Sequence, residues 1–171
     1  MKLPRKPRAV VFDLDGTLID SEALVKEAHF AACDEIGVTM TDAQFLSLVG
    51  MHREANEISL REYFGAAFPL ERFFDSTRAF VGDRVAPLKA GAVEMMDALD
   101  GLDLPYGLAT SSRRQWVDRH FTAYGFASRF RAVVTRQDVT NGKPFPEPYL
   151  KASDLLGVAP MDVLAIEDSH P

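Results

Sequence analysis

The stretch Val10–Asp20, VVFDLDGTLID, ends a short apolar run in two aspartates one residue apart, Asp13 and Asp15. An apolar, β-branched run that meets polar residues at once reads as a strand entering a loop. Two residues along an extended chain advance about 6.6 Å, and unit charges at that spacing repel by about 2.5 kcal/mol at an effective dielectric of 20. That amounts to about 2 pKa units, so something positive is expected where this strand ends. A plainer reading is also open: Asp-Gly between apolar flanks is a tight-turn signal, with Asp15 and Gly16 supplying the backbone freedom. Both readings hold together if a turn just past Asp13 aims Asp15 back over the strand end.

Working outward, similar runs recur as RAVVF (8–12), LPYGLAT (104–110), FRAVVT (130–135) and DVLAI (162–166). The segments between the later runs have helical periodicity, which predicts a parallel α/β sheet of the Rossmann type. About ninety residues separate the first run from the second, far beyond the ~12 that a crossover needs, and they read as helical almost throughout. The expected organisation is an α/β core domain of residues 1–19 and 86–171 with a helical domain, 20–85, inserted into it. Within the insertion, Asp20 or Ser21 caps a helix to about Ile36, ended by Gly37. Thr41 with Gln44 forms a capping-box pattern opening a second helix that stops near Gly50. A third runs from about His52 to Phe64, and Pro69 opens a fourth whose Leu70, Phe73, Phe74, Thr77, Phe80 and Val81 recur at helical spacing as bundle core. Core helices are expected near Ala92–Leu99, Arg113–Tyr124 and Pro148–Leu156.

The chain has 171 residues, 47% hydrophobic and 26% charged, with a formal net charge of −6. A domain-sized core is within reach of that composition. The acidic balance sets up no uniform positive field for nucleic acid or an anionic membrane surface. Cys33 is the single cysteine, so no internal disulfide forms and a reducing, cytoplasmic setting is expected. The apolar run Ala9–Phe12 is too short for a signal-peptide core, and no segment is a membrane-length apolar stretch.

Every predicted strand ends in polar residues: Asp13 and Asp15, then Thr110, Ser111 and Ser112, then Thr135, then Glu167 and Asp168. These are carboxyl ends, which a parallel sheet brings to one rim, where open α/β folds place their ligand crevice. Three or more carboxylates there call for a hard divalent cation, and magnesium favours a few carboxylates with phosphate and water. Local alternatives stay open at several positions. Ser111 or Ser112 reads equally as a helix cap, Lys143 as a solvated loop lysine, and Arg53 as helix surface. The histidines His29, His52, His120 and His170 show no paired metal spacing and read as surface or packing residues.

FDLDGTLID, LATSS, GKPFPEPYL and AIEDS resemble the four ordered motifs of the haloacid dehalogenase superfamily, over Val10 to His170. The chain looks most like the phosphoglycolate phosphatase and β-phosphoglucomutase branch, whose helical cap follows the first motif. The resemblance implies a magnesium-dependent phosphatase of a small phosphorylated metabolite, such as a sugar phosphate or phosphoglycolate, and a monomer or weak homo-oligomer. It implies that Asp13 is the nucleophile forming an aspartyl-phosphate and that Asp15 is the acid and base. Magnesium is implied at the Asp13 and Asp168 carboxylates and the Asp15 backbone carbonyl, with Glu167 adjacent. Thr110 and the Ser111 amide are implied to bind phosphoryl oxygens, Lys143 to balance charge beside Asp13, and Arg53, in LVGMHREA, to grip a distal anionic group.

Two departures from the family pattern carry expectations of their own. The mutases have a histidine early in the first cap helix where this chain has Val25, and His29 lies a turn later on the same face, so hydrolysis is expected over mutase chemistry. After IEDSHP the family continues with a further helix and strand, so the core is expected to lack a carboxyl-terminal helix and strand and to expose apolar surface on its fourth strand. Rival readings are a sugar phosphomutase, a phospho-accepting receiver module that also gathers aspartates, a hydroxyl and a lysine, and an inactive fragment.

Overall fold

The structure, a computed structural model, describes residues 6–49, 51 and 53–169. Four strands form one parallel sheet: β1 (Ala9–Phe12), β2 (Tyr106–Ala109), β3 (Ala132–Val134) and β4 (Val163–Ile166), in the order β3-β2-β1-β4. Val11 pairs with Gly107 and Ala165, placing β1 at the centre. All four β1 residues are buried, as expected of a strand covered on both faces.

Alternate residues serve opposite faces. One face presents Val11, Ala109 and Val134 to Ala152 of helix α7 (Glu147–Leu156). Opposite it, Phe12, Tyr106 and Phe130 meet edge to face, with ring centroids 5.0–6.4 Å apart. Phe121 of α6 (Arg114–Tyr124) stacks on Phe130 at 4.8 Å. Helix α5 (Ala92–Gly101) completes this unit, and β4 is an edge strand, exposed at Ala165.

The chain divides into two compact units: the segment ending at Asp20 with the chain from Ala86 onward, and Ser21–Val85. The second unit holds α1 (Ser21–Ile36), α2 (Asp42–Leu48), α3 (Arg53–Phe64) and α4 (Leu70–Val81). Its core gathers Cys33, Phe45, Leu60, Phe68 and Phe73, with Phe74 packed against it, so two of the α4 aromatics are packing residues, whereas Phe80 is half-buried beneath the Arg84 guanidinium at 3.5 Å. The capping box forms as read: Thr41 Oγ1 accepts from Gln44 N–H at 3.2 Å and Gln44 Oε1 from Thr41 N–H at 2.8 Å. Two linkers join at the core side, where Asp20 N–H donates to Pro87 O at 2.7 Å and Lys89 N–H to Leu18 O at 2.9 Å.

Two local expectations give way. Helix α6 has Arg113 as its N-cap with no side-chain cap bond, because Ser112 spends its hydroxyl elsewhere. Thr135 does not line the rim. It is fully buried and caps a 3-10 turn, Arg136–Asp138, where its N–H and hydroxyl both donate to Asp138 Oδ2, at 2.7 and 2.6 Å. No helix among the described residues is long and apolar enough to cross a membrane.

Candidate active site

Asp13 follows β1 directly, its N–H extending the ladder to Ile166 O at 2.9 Å. The backbone is thereby fixed and the carboxylate is 6% exposed. Lys143 Nζ donates to Asp13 Oδ1 at 2.5 Å and to Glu167 Oε2 at 2.8 Å. Tyr149 of α7 also donates to Glu167 Oε2, and its ring lies 4.9 Å from the ammonium. Burial raises the Asp13 pKa to about 6 against the opposing pull of Lys143. Burial alone would lower Lys143, yet the acceptors Asp13 and Glu167 hold it above the usual lysine range. Glu167, despite its own burial, is held low by Lys143, Tyr149 and Ser169.

Asp15 lies one turn beyond. Gly16, at φ +80°, donates its N–H to Ile19 O at 2.8 Å, so the tight turn and the charged strand end coexist. Both Asp15 carboxylate oxygens have donors: Ser112 Oγ–H to Oδ2 at 2.6 Å and Trp116 Nε1–H to Oδ1 at 3.0 Å. Sequence reasoning placed Ser112 at the rim with a helix cap as its alternative, and passed over Trp116, since a tryptophan at a helical core position carries no polar signal of its own.

Ligand oxygens of Asp13, Glu167 and Asp168 all lie within 4.8 Å of one another. Among the described residues, three carboxylates against the Lys143 ammonium leave negative charge in excess, and the all-oxygen donor set suits a hard cation such as magnesium. Gly16 walls this group: a Cβ there would stand 2.0 Å from Asp168 Oδ2. The Asp15 side chain is outside the cluster, and the role implied for it there was its backbone carbonyl.

Thr110 is buried, and its Oγ1 accepts from Ser112 N–H at 3.0 Å, while Ser111 is exposed beside it. Lys143 and Glu167 also border an open depression of about 510 Å³ walled by Phe145, Tyr149 and Ala165. Asp13, Asp15 and Asp168 do not line it, so the acidic cluster meets this hollow only at Glu167.

In the helical unit, Arg53 pairs with Glu57 Oε1 at 2.9 Å and stacks 4.6 Å over Phe74. His29 donates from Nδ1 to Val25 O at 2.8 Å and packs against Phe45 and Phe73, at 5.6 and 5.1 Å. The unit has a cavity of about 230 Å³ lined by Ser21, Val25, His29, Val49 and Asn56 among others. The buried Asn56 Oδ1 has no hydrogen-bond partner there. His120 is buried in the core unit, whereas Gly50, His52 and His170, named in the sequence reading, lie outside the described residues.

The profile of the haloacid dehalogenase-like hydrolases matches residues 10–171. Over 164 residues the chain is 30% identical to validoxylamine A 7′-phosphate phosphatase of Streptomyces hygroscopicus subsp. limoneus, spanning 95% of this chain and 77% of that one. Over 181 residues it is 28% identical to hexitol phosphatase B of Escherichia coli (strain K12), spanning 99% and 78%. The crystal structure of a candidate β-phosphoglucomutase from Thermotoga maritima superposes with a TM-score of 0.77 at 27% identity, over 94% of this chain and 76% of that one. The ordered motifs, the sheet with its acidic rim and these likenesses agree, and the chain belongs to the haloacid dehalogenase-like hydrolases.

Proposed function

We propose that this chain is a phosphoric monoester hydrolase that acts in the cytoplasm, is magnesium-dependent, and removes phosphate from a small hydroxylated metabolite through an aspartyl-phosphate on Asp13. The observation that carries the reading is the meeting of Asp13, Lys143, Glu167 and Asp168 from three distant parts of the chain. A carboxylate oxygen of Asp13 attacks phosphorus as the ester P–O bond breaks, dividing one hard displacement into two easier ones. Asp15 gives its proton to the departing alkoxide, then takes one from the water that attacks the aspartyl-phosphate. Inorganic phosphate leaves and the Asp13 carboxylate is restored.

Held by Asp13, Asp168 and the Asp15 backbone carbonyl, with Glu167 adjacent, magnesium would neutralise charge on the phosphoryl oxygens. Lys143 fixes the rotamer of Asp13 and offsets charge beside it. Thr110 and the Ser111 amide supply donors for phosphoryl oxygens. The helical unit acts as a specificity cap: Arg53 takes a distal anionic group in exchange for Glu57 when the substrate carries one, and the Asn56 cavity takes hydroxyls. Relatives named for hexitols and validoxylamine A 7′-phosphate support a polyol-like or sugar-like substrate. Hydrolysis rather than mutase chemistry is supported by Val25 at the mutase histidine position and by the packing of His29 between Phe45 and Phe73.

The deciding experiment is a phosphate-release screen over phosphorylated sugars, polyols and 2-phosphoglycolate with magnesium, with Asp13→Asn as the blank. Multiple-turnover release by the wild type and none by the variant is expected. Retained turnover in Asp13→Asn overturns the nucleophile, and isomerised sugar phosphate without free phosphate makes the chain a mutase.

A further inference from the structure

Trp116, the only tryptophan of the chain, lies in the first turn of α6. An indole has one donor and no acceptor, and here it is given to Asp15 Oδ1 at 3.0 Å. One turn along, His120 lies against the indole with ring centroids 4.3 Å apart. His120 is fully buried. Its Nδ1 donates to Trp116 O at 2.8 Å and its Nε2 accepts from Ala86 N–H at 2.9 Å, which fixes both tautomer and ring plane. A further turn on, Tyr124 donates to Ala86 O at 2.7 Å. Ala86 is the residue at which the chain re-enters the core unit after the helical residues. One face of α6 therefore runs from Asp15 to the second linker through three aromatic side chains.

We propose that Trp116 is the positioning residue for Asp15, its indole N–H holding the carboxylate in the orientation used for proton transfer, with His120 as the brace behind the indole. The inference rests on the acid–base role given to Asp15 above. One donor leaves a carboxylate free to swing about its remaining torsions, whereas two donors from separate elements hold it. The second donor, Ser112, stands on the β2 end, its own N–H bound to Thr110 Oγ1 and its carbonyl accepting from Arg136 N–H at 3.1 Å. Trp116 stands on a helix. Neither donor depends on a long, mobile side chain, since one torsion places the Ser112 oxygen and the indole is packed against His120.

Trp116→Phe keeps a ring on His120 and removes the donor. For an alkyl phosphate, whose alkoxide needs a proton to leave, kcat is expected to fall about 100-fold with KM unchanged. For p-nitrophenyl phosphate, whose leaving group departs unprotonated, single-turnover release of p-nitrophenolate is expected to keep its wild-type rate. Equal losses on both substrates, or no loss on either, overturn the inference. Asp15→Asn separates the levels: wild-type turnover of alkyl phosphate in that variant defeats the acid–base role itself, whereas an inactive Asp15→Asn beside an unaffected Trp116→Phe defeats only the positioning role. Tryptophan emission, excited selectively over the tyrosines, supplies a readout without turnover, because Trp116 is the only tryptophan. Asp15→Ala is expected to shift the emission of the folded protein, and an unchanged spectrum overturns the contact.

Discussion

Lys143 and Asp13 stand 130 positions apart in sequence, yet their side chains meet at 2.5 Å, and the same ammonium reaches Glu167 at 2.8 Å. One cation thus bridges two of the three carboxylates of the acidic cluster. Lys143→Met is expected to lower kcat by about 10²–10³, the loss that follows removal of one preorganised charge-stabilising donor. Steady-state phosphate release with saturating magnesium checks this, alongside a circular dichroism spectrum like the wild type. A loss smaller than tenfold would place Lys143 outside the chemistry.

Gly16 and Asp168 are coupled by space rather than by a bond. Gly16→Ala places a methyl group where the Asp168 carboxylate now lies, 2.0 Å from Oδ2, at a φ of +80°. The left-handed backbone costs about 1–2 kcal/mol for a residue with a side chain, and the carboxylate must move. The variant is expected to unfold at lower temperature and to need more magnesium for half-maximal activity, and Asp168→Asn is expected to raise the magnesium requirement likewise. An unchanged magnesium titration in both variants would remove Asp168 from the metal site.

Two buried histidines set a pH dependence of stability. Burial lowers the proton affinity of His29 and of His120. Below about pH 6.5 the unfolded chain therefore takes up protons that the folded chain refuses, and stability falls as pH falls. Their contribution is complete above that pH and shrinks below it. Asp13, raised to about 6, acts in the opposite sense, because the folded state protonates it first. Comparison of wild type with His120→Gln isolates one histidine: the melting temperature of the variant is expected to drop less between pH 7.5 and pH 5.5. Parallel drops would show that His120 is protonated in the folded protein.

Asn56 lines the cavity of the helical unit, and its buried Oδ1 has no hydrogen-bond partner. Asn56→Leu is expected to raise KM for the preferred hydroxylated substrate by about three- to tenfold, the worth of one hydrogen bond, with kcat little changed. The measurement is a Michaelis curve on the best compound of the screen. A KM that stays put across the whole panel removes this cavity from substrate recognition.

What could be read from the sequence was set by near neighbours. The strands at Ala9–Phe12 and Val163–Ile166, the helix Ser21–Ile36 ended before Gly37, and the Thr41–Gln44 capping box all depend on residues within about four positions, so the pattern that predicts them also makes them. The strand ends told where polar residues would gather, because a parallel sheet must put its carboxyl ends on one rim. Lys143 was readable through its ordered motif, since nothing local distinguishes it from an ordinary loop lysine.

The choice among partners belonged to tertiary structure. Ser112 and Thr135 carry the same local signal, a hydroxyl at a strand end before a helical turn, yet Thr135 caps its turn and Ser112 donates to Asp15, 97 positions away. Trp116 has the pattern of a core residue and becomes the second donor to that carboxylate. A hydrogen bond forms only when two groups come within about 3 Å in the right direction. For groups a hundred residues apart that distance is set by sheet order and helix docking. The amino-acid order therefore determined the elements and the rim, and only the packed fold decided which side chains hold Asp13 and Asp15 in place.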